Sequence, residues 1–369
     1  MTDTTRHIVI ASGGTGGHFY PTLAIARQLV AKGNEVTLLL AGHHTDEQIE
    51  IARRNNLEAQ AVKAIRLPRT PLQALAFPFI FLASIWVAWS RLRSLKPNAV
   101  LGMGSFASVP VGLAAVLSRR PLFLHEGNAW VGRANRFLSR WARHLATSLP
   151  LAPGAAIQCA HRQTGMPLRQ SLIDAAEDLR LPTDFLANAG LIPGKPIVLI
   201  FGGSQGASAI NALMQGVAQQ LREDARHLQV IHLTGQVDNA ALIGAYSEAG
   251  IRACVKERDQ QIENCYLAAD LVICRSGAST LCELALFKKP GILIPLPTAA
   301  EDHQTANAKA LASRHAAIHL SQEQATPERI VEFLHDWQKG SKSWHEMGRT
   351  VGTLAKPDAA RDVAAMVCG

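Results

Sequence analysis

No Cys-x-x-Cys pair and no Cys/His ladder occurs in the 369-residue sequence, whose six cysteines stand apart at 159, 254, 265, 274, 282 and 368. That spacing argues against a disulfide framework or a structural zinc site and for a reducing, cytoplasmic compartment. Aromatic residues make up only 5%, too few for a surface built on stacked bases, so nucleic-acid binding is disfavoured. GxxxxGK[ST] is missing, which excludes a P-loop nucleotidase. The apolar run ahead of the first glycines is too short to read as a signal peptide. What is present is apolar: hydrophobic residues reach 48% against 18% charged, which excludes disorder and leaves material for a large core.

Acidic residues are scarce in one half only. Residues 1–160 hold 17 Lys/Arg against 7 Asp/Glu, a balance of +10, whereas residues 161–369 hold 20 against 22, a balance of −2. Between Arg53 and Arg143 there are fourteen basic residues and only Glu58 and Glu126 to oppose them. Such a half attracts an anionic partner: a phosphorylated ligand, an acidic membrane surface or nucleic acid.

The chain also repeats one pattern about 190 residues apart. His7-IVIASGGTGGHFYPTLAIARQLVAKG reads as a buried strand, a glycine loop and a helix; Pro196-IVLIFGGSQGASAINALMQGVAQQL has the same grammar. Short apolar strands alternating with helical patterns follow each copy, at Val36–Leu40, Ala99–Leu101 and Leu122–Leu124, then at Gln229–Leu233, Leu271–Cys274 and Gly291–Pro295. The expectation is an α/β protein of two doubly wound, Rossmann-like domains facing across a cleft. Pro150, Pro153 and Gly154 put the boundary near residue 160, giving domains 1–160 and 161–349. A last helix at about 350–369 is a candidate to pack back on the first domain.

Glycine turns between strand and helix present backbone N–H groups at the positive end of a helix dipole, a setting for phosphate. Neither copy is GxGxxG, and the second strand ends Leu40-Ala41-Gly42 with no acid for a ribose hydroxyl, so an NAD enzyme is disfavoured. His18 follows the first loop, where the dipole favours a neutral imidazole suited to act as a base. Pro71–Ser90 is a twenty-residue uncharged run bounded by Arg69 and Arg91. It is long enough to span a bilayer, yet the strands on either side belong to one sheet, so it reads as a helix lying in the membrane interface. Within Val131–Leu145, Arg133, Arg136, Arg140 and Arg143 form a basic helical stripe beside Ala134, Leu138, Trp141 and Leu145. Polar clusters follow the strands: Gly102–Ser108, His125–Asn128, Cys274–Thr280 with Glu283, and Pro295–Asn307. Glu283 has a second reading, as the acid of a Thr280-x-x-Glu283 capping box.

Gly13-Gly-Thr-Gly-Gly-His18 with Pro21, Gly102-Met-Gly-Ser, His125-Glu126-x-Asn128, Thr164-Gly-Met-Pro-Leu-Arg169, Gly202-Gly-Ser-Gln-Gly-Ala207, Cys274–Thr280 with Glu283 and Asp302-His-Gln-x-x-Asn307 occur in that order. Together they resemble the MurG family, the UDP-N-acetylglucosamine:N-acetylmuramyl-(pentapeptide) pyrophosphoryl-undecaprenol N-acetylglucosaminyltransferases. The resemblance implies a GT-B fold and an inverting transfer, without metal or other cofactor, of GlcNAc from UDP-GlcNAc to the C4 hydroxyl of MurNAc in lipid I. The product is lipid II, for peptidoglycan, made by a peripheral enzyme on the cytoplasmic face of the inner membrane beside anionic lipids.

By the same resemblance, Gly203, Ser204 and Gln205 would hold the UDP phosphates with Arg169 as counter-charge. Glu283 would take the ribose, Arg275 and Ser276 the uridine pocket, and His303 and Gln304 the GlcNAc. Thr15, Gly16 and Gly17, in the Gly14–Gly17 loop, would bind the acceptor diphosphate, with His18 as base and Glu126 and Asn128 at the acceptor. The sequence departs from the family at Gly127, at Ser105-Phe106 and at Arg258–Ile262. The rival readings are a GT-B transferase for another nucleotide sugar and acceptor, and a non-catalytic membrane or nucleotide-binding scaffold.

Overall fold

The computed structural model describes residues 5–13, 16–42, 44–62, 70–203, 208–221, 228–237 and 239–369. Thr15, Ser204 and Gln205, three of the residues expected at substrate, lie outside them, as do Gly14, Arg66 and Arg69. The chain forms two units: Met1–Arg169 with Lys356–Gly369, and Gln170–Ala355.

Seven parallel strands make the first sheet: β1 (His7–Gly13), β2 (Glu35–Ala41), β3 (Glu58–Ala61), β4 (Ala99–Gly102), β5 (Leu122–Glu126), β6 (His144–Thr147) and β7 (Ala160–Gln163), ordered β3-β2-β1-β4-β5-β6-β7. Ile8 pairs with Val36 on one side and Ala99 on the other. Side chains alternate between the faces of a strand, so successive β1 residues enter different cores. Ile8 and Ile10 pack with Ile25, Leu29 and Val363, whereas Val9 and Ala11 pack with Leu92, Val111 and Leu138. A strand buried on both faces must be continuously apolar, which is why the His7–Gly13 run is legible in the sequence.

The second sheet holds β8 (Ile197–Phe201), β9 (Gln229–Leu233), β10 (Arg252–Lys256), β11 (Leu271–Cys274), β12 (Gly291–Leu293) and β13 (Ile318–His319), ordered β10-β9-β8-β11-β12-β13. That is the order of the first six strands of the other unit, so the sequence repeat is a repeat of topology. In both sheets the order of strand addition reverses at one place, between β1 and β4 and between β8 and β11. In open α/β sheets ligands bind beyond the carboxyl ends of the strands at such a switch point.

Two expectations need correcting. Ala160–Gln163 is an edge strand of the first sheet, so the first unit runs on to Arg169 instead of closing near 160. The basic stripe of Val131–Leu145 is not one helix: a helix covers Arg133–Leu138 and the chain then turns into β6, burying Leu138 and Leu145. The last helix, Ala359–Cys368, sets Val363, Ala364 and Val367 into the first unit's core, and Arg6 donates to the carbonyl of Cys368.

Candidate functional site

In the first unit β1 delivers Gly13, and the helix Gly16–Ala31 that follows carries His18 in its first turn. Beside β1, β4 opens into Met103-Gly104-Ser105. Gly104 sits at φ +84°, and a methyl group there would stand 3.5 Å from His18 Nε2, 3.4 Å from Asn135 Nδ2 and 3.7 Å from the His125 carbonyl oxygen. His18, His125 and Asn135 therefore meet around one glycine. Next to it, a side chain at Gly13 would collide with the Ser105 hydroxyl. Ser105 itself holds φ 63° and ψ 158°, backbone space that is essentially glycine's alone, and its Oγ is buried without a hydrogen bond.

His125 is fully buried, with Nε2 3.1 Å from Ser148 Oγ. Burial, with nearby His18 as second cause, pushes its pKa down to about 4, against an opposing hydrogen bond to the Gly165 backbone. Glu126 ends β5 buried and fully occupied. Its Oε1 accepts from the Asn128 backbone N–H (3.0 Å) and Asn128 Nδ2 (3.2 Å), its Oε2 from the Gly132 N–H (3.0 Å) and Asn135 Nδ2 (2.9 Å). Such a carboxylate fixes the loop that presents Asn128; the geometry speaks against a direct role as a base. Arg169 lies in the first unit, its Cζ 5.9 Å from the centre of the Tyr20 ring on the same helix as His18. Gly16 and Gly17 begin that helix.

In the second unit β8 runs into Gly202 and Gly203, the latter at φ +71°. At the neighbouring strand end Arg275 is buried and spent on the protein. Its guanidinium donates to the carbonyls of Ile294 (3.1 Å) and Pro295 (3.0 Å) and to Gln322 Oε1 (2.8 Å), and burial lowers its pKa. Ser276 is also buried; its hydroxyl donates to the Gln304 carbonyl (2.8 Å) and its own carbonyl accepts from Asn307 Nδ2 (3.0 Å). Both are expected from the sequence to line a uridine pocket; in the structure their side chains tie together the segments that follow β11 and β12. Gln304 uses Oε1 to accept the Leu296 N–H (3.0 Å), and His303 donates from Nδ1 to the Ala300 carbonyl (2.6 Å), which leaves Nε2 as the other ring nitrogen. Just ahead of them Glu301 and Asp302 hold φ 52° and 50°, consecutive left-handed residues that turn the chain into the His303–Ala312 helix.

Glu283 is no capping acid. The helix Ala278–Leu286 has Gly277 at its N-cap, which puts Thr280 inside the helix. Glu283 instead accepts from the hydroxyl of Tyr266 (2.8 Å), a fully buried ring stacked 5.1 Å from Phe287. Sequence reasoning passed over Tyr266, Asn135, Ser148 and Gln322. None lies in a motif; each is found only by asking which donor or acceptor a buried polar neighbour needs.

The helix Pro71–Leu95 starts at Thr70, whose side chain accepts the Gln73 N–H, with Pro71 at the first position. It is long and apolar enough to cross a membrane, but only 6% of its most apolar window is buried. Leu72, Leu75, Phe79, Leu82 and Trp86 are exposed, Leu72 by 78%, which excludes a core helix. The inward stripe packs Phe77 and Phe81 on Phe106, at 6.2 and 6.1 Å between ring centres, and buries Ala88 and Leu92.

Residues 8–147 match the glycosyltransferase family 28 N-terminal domain and residues 197–363 its C-terminal domain. A UDP-N-acetylglucosamine--N-acetylmuramyl-(pentapeptide) pyrophosphoryl-undecaprenol N-acetylglucosamine transferase of Marinobacter nauticus is 36% identical over 98% of this chain and 97% of its own. The enzyme of that name from Alkalilimnicola ehrlichii is 35% identical, with 98% of each chain covered. The crystal structure of Acinetobacter baumannii MurG superposes with a TM-score of 0.80 at 29% identity, covering 99% of both chains. A UDP-GlcNAc 2-epimerase from Neisseria meningitidis, 13% identical over 97% of this chain and 98% of its own with a TM-score of 0.65, shares the fold alone. The fold is GT-B. By sequence and by structure the chain belongs to glycosyltransferase family 28 and, within it, to the MurG family of N-acetylglucosamine transferases.

Proposed function

We propose that this enzyme moves GlcNAc from UDP-GlcNAc to the C4 hydroxyl of MurNAc on an undecaprenyl-pyrophosphoryl acceptor, inverting the anomeric centre and forming lipid II for peptidoglycan. The observation that carries the reading is likeness over nearly the whole chain to transferases of that name. Polar groups gathered at both switch points supply the chemistry it needs.

The C4 oxygen attacks C1 of the bound sugar, the C1–O bond to UDP breaks, and a base takes the hydroxyl proton. His18, with Nε2 against Gly104, is that base, and Asn128, fixed by Glu126, orients the acceptor. The N–H groups of Gly16 and Gly17 with Thr15, at the start of the helix, hold the acceptor diphosphate. On the donor side Gly203, Ser204 and Gln205 hold the UDP phosphates, and Arg169 neutralises charge that develops as UDP leaves. Glu283, aimed by Tyr266, binds the ribose; His303 Nε2 and the Gln304 amide bind GlcNAc; Arg275 and Ser276 shape the uridine end without touching it.

The exposed apolar stripe of Pro71–Leu95 rests on the cytoplasmic face of the inner membrane. Arg91, Arg93, Lys96, Arg140 and Arg143 face anionic head groups around it, Arg93 and Arg140 lying over the rings of Trp89 and Phe137. UDP release measured with each substrate alone and with both together tests the reading. UDP appears only with both, and UDP-GalNAc serves poorly; release with another nucleotide sugar in preference would move the enzyme to the rival transferase reading.

A further inference from the structure

The Pro71–Leu95 helix carries two separate apolar surfaces. Beside its outer stripe, Ser84 and the partly exposed Ile80 and Val87 line, with Ala107, Pro110 and Val111, an open groove of about 270 Å³ within the first unit. The one hydroxyl in that lining, Ser84 Oγ, donates back to the Ile80 carbonyl (2.8 Å), so the groove offers hydrocarbon alone. No polar ligand is served by such walls, and the outer stripe already supplies a bilayer contact.

The groove is continuous with the candidate acceptor site along the backbone. Gly104 lies against His18, Ser105 against Gly13, Phe106 stacks on Phe77 and Phe81, and Ala107 is already groove wall. Three peptide units separate Gly104 from Ala107, at most about 11 Å. Building on the function proposed above, we infer that this groove receives the first isoprenyl units of the acceptor's polyprenyl chain, with Phe106 as the step between diphosphate and hydrocarbon. The chain is then held by protein next to the reacting sugar, and only its distal part belongs to the bilayer.

Direct binding tests this without turnover. Geranyl diphosphate, a ten-carbon prenyl diphosphate, and inorganic pyrophosphate are titrated calorimetrically into the full chain in buffer free of vesicles and detergent. The expected Kd for the prenyl compound is at least about tenfold lower, since burying even two methylene equivalents gives that ratio. Ala83→Trp, at an exposed position of the lining, and Ala107→Leu fill the groove and bring the two Kd values together. A UDP-GlcNAc-induced rise in Tm, read in each variant, reports that it is folded. Equal Kd values in the unaltered chain, or a prenyl preference surviving in both folded variants, overturn the groove. The reaction assigned above fails separately: in the unaltered chain, equal Kd values with sugar transfer intact reject only the groove, and a prenyl preference without transfer rejects only the reaction.

Discussion

Both units leave a polar residue at the end of a strand beside the switch point, yet Glu126 and Arg275 are used in opposite senses. Glu126 collects three donors from the loop after β5 and a fourth from Asn135 on the helix that follows, and so makes that loop a rigid platform for Asn128. Arg275 spreads three hydrogen bonds over Ile294 and Pro295, just past β12, and Gln322, and so clamps strand ends together. The first unit stiffens a loop, the one proposed to meet the acceptor; the second stiffens the sheet from which such loops emerge. Repeated topology thus sets where chemistry can happen, and the burial of each charge decides which residue stays available for it.

The largest expected effect separates the two units outright. His18→Ala lowers kcat by about 10²- to 10⁴-fold, the usual worth of a positioned base. Because His18 belongs to the first unit, the rise in Tm on adding UDP-GlcNAc survives the substitution. Loss of that rise together with kcat would show that His18 serves the fold and not the proton.

Arg275→Met follows in size. It strands the Ile294 and Pro295 carbonyls, and urea unfolding should register a loss of about 2–4 kcal/mol. An unchanged urea midpoint would free Arg275 for the ligand role the sequence suggested.

Among the described residues, the buried imidazoles are His125 in the first unit and His232 in the second, which sets a smaller, pH-dependent effect. Burial holds His125 down to about 4 and His232 to about 3, whereas in the unfolded chain both take up a proton near 6.5. Below about pH 6.5 the unfolded state binds protons that the folded state refuses. Stability is therefore complete above that pH and falls as the solution is acidified toward 4, by about 2 kcal/mol per group at pH 5. Comparing urea midpoints at pH 7 and pH 5 for the unaltered chain and His232→Gln should show the acid loss reduced by about half in the variant.

Ser105→Gly gives the smallest change. Glycine accepts φ 63° and ψ 158° at no steric cost, so the variant should gain about 1 kcal/mol in the same assay. A loss instead would mean that the Ser105 hydroxyl contributes packing against Gly13 that outweighs the strain.

Much of this was legible in the sequence, and the limits have physical causes. β1 and β8 stand out because a strand buried on both faces needs an unbroken apolar run, and the glycines after them mark the turns. β3, with the sequence EAQA, and β7, with AHRQ, carry no such run; backbone pairing at a sheet edge holds them, and that leaves no mark on composition. The arginine stripe after Val131 has helical spacing, but burial of Leu145 in β6 overrides it. At the site, residue type and strand-end position pointed to Glu126, Arg275 and Glu283. Their bonding depends on Asn135, Gln322 and Tyr266, which tertiary structure alone brings near.

The most direct measurement of the central claim follows labelled GlcNAc from UDP-GlcNAc into a lipid I analogue. The account predicts label in the lipid-extractable product with a β-linkage to C4 of MurNAc, entering about 10²- to 10⁴-fold more slowly with the His18→Ala enzyme. Label that stays in the aqueous phase, as free GlcNAc or intact donor, would contradict it.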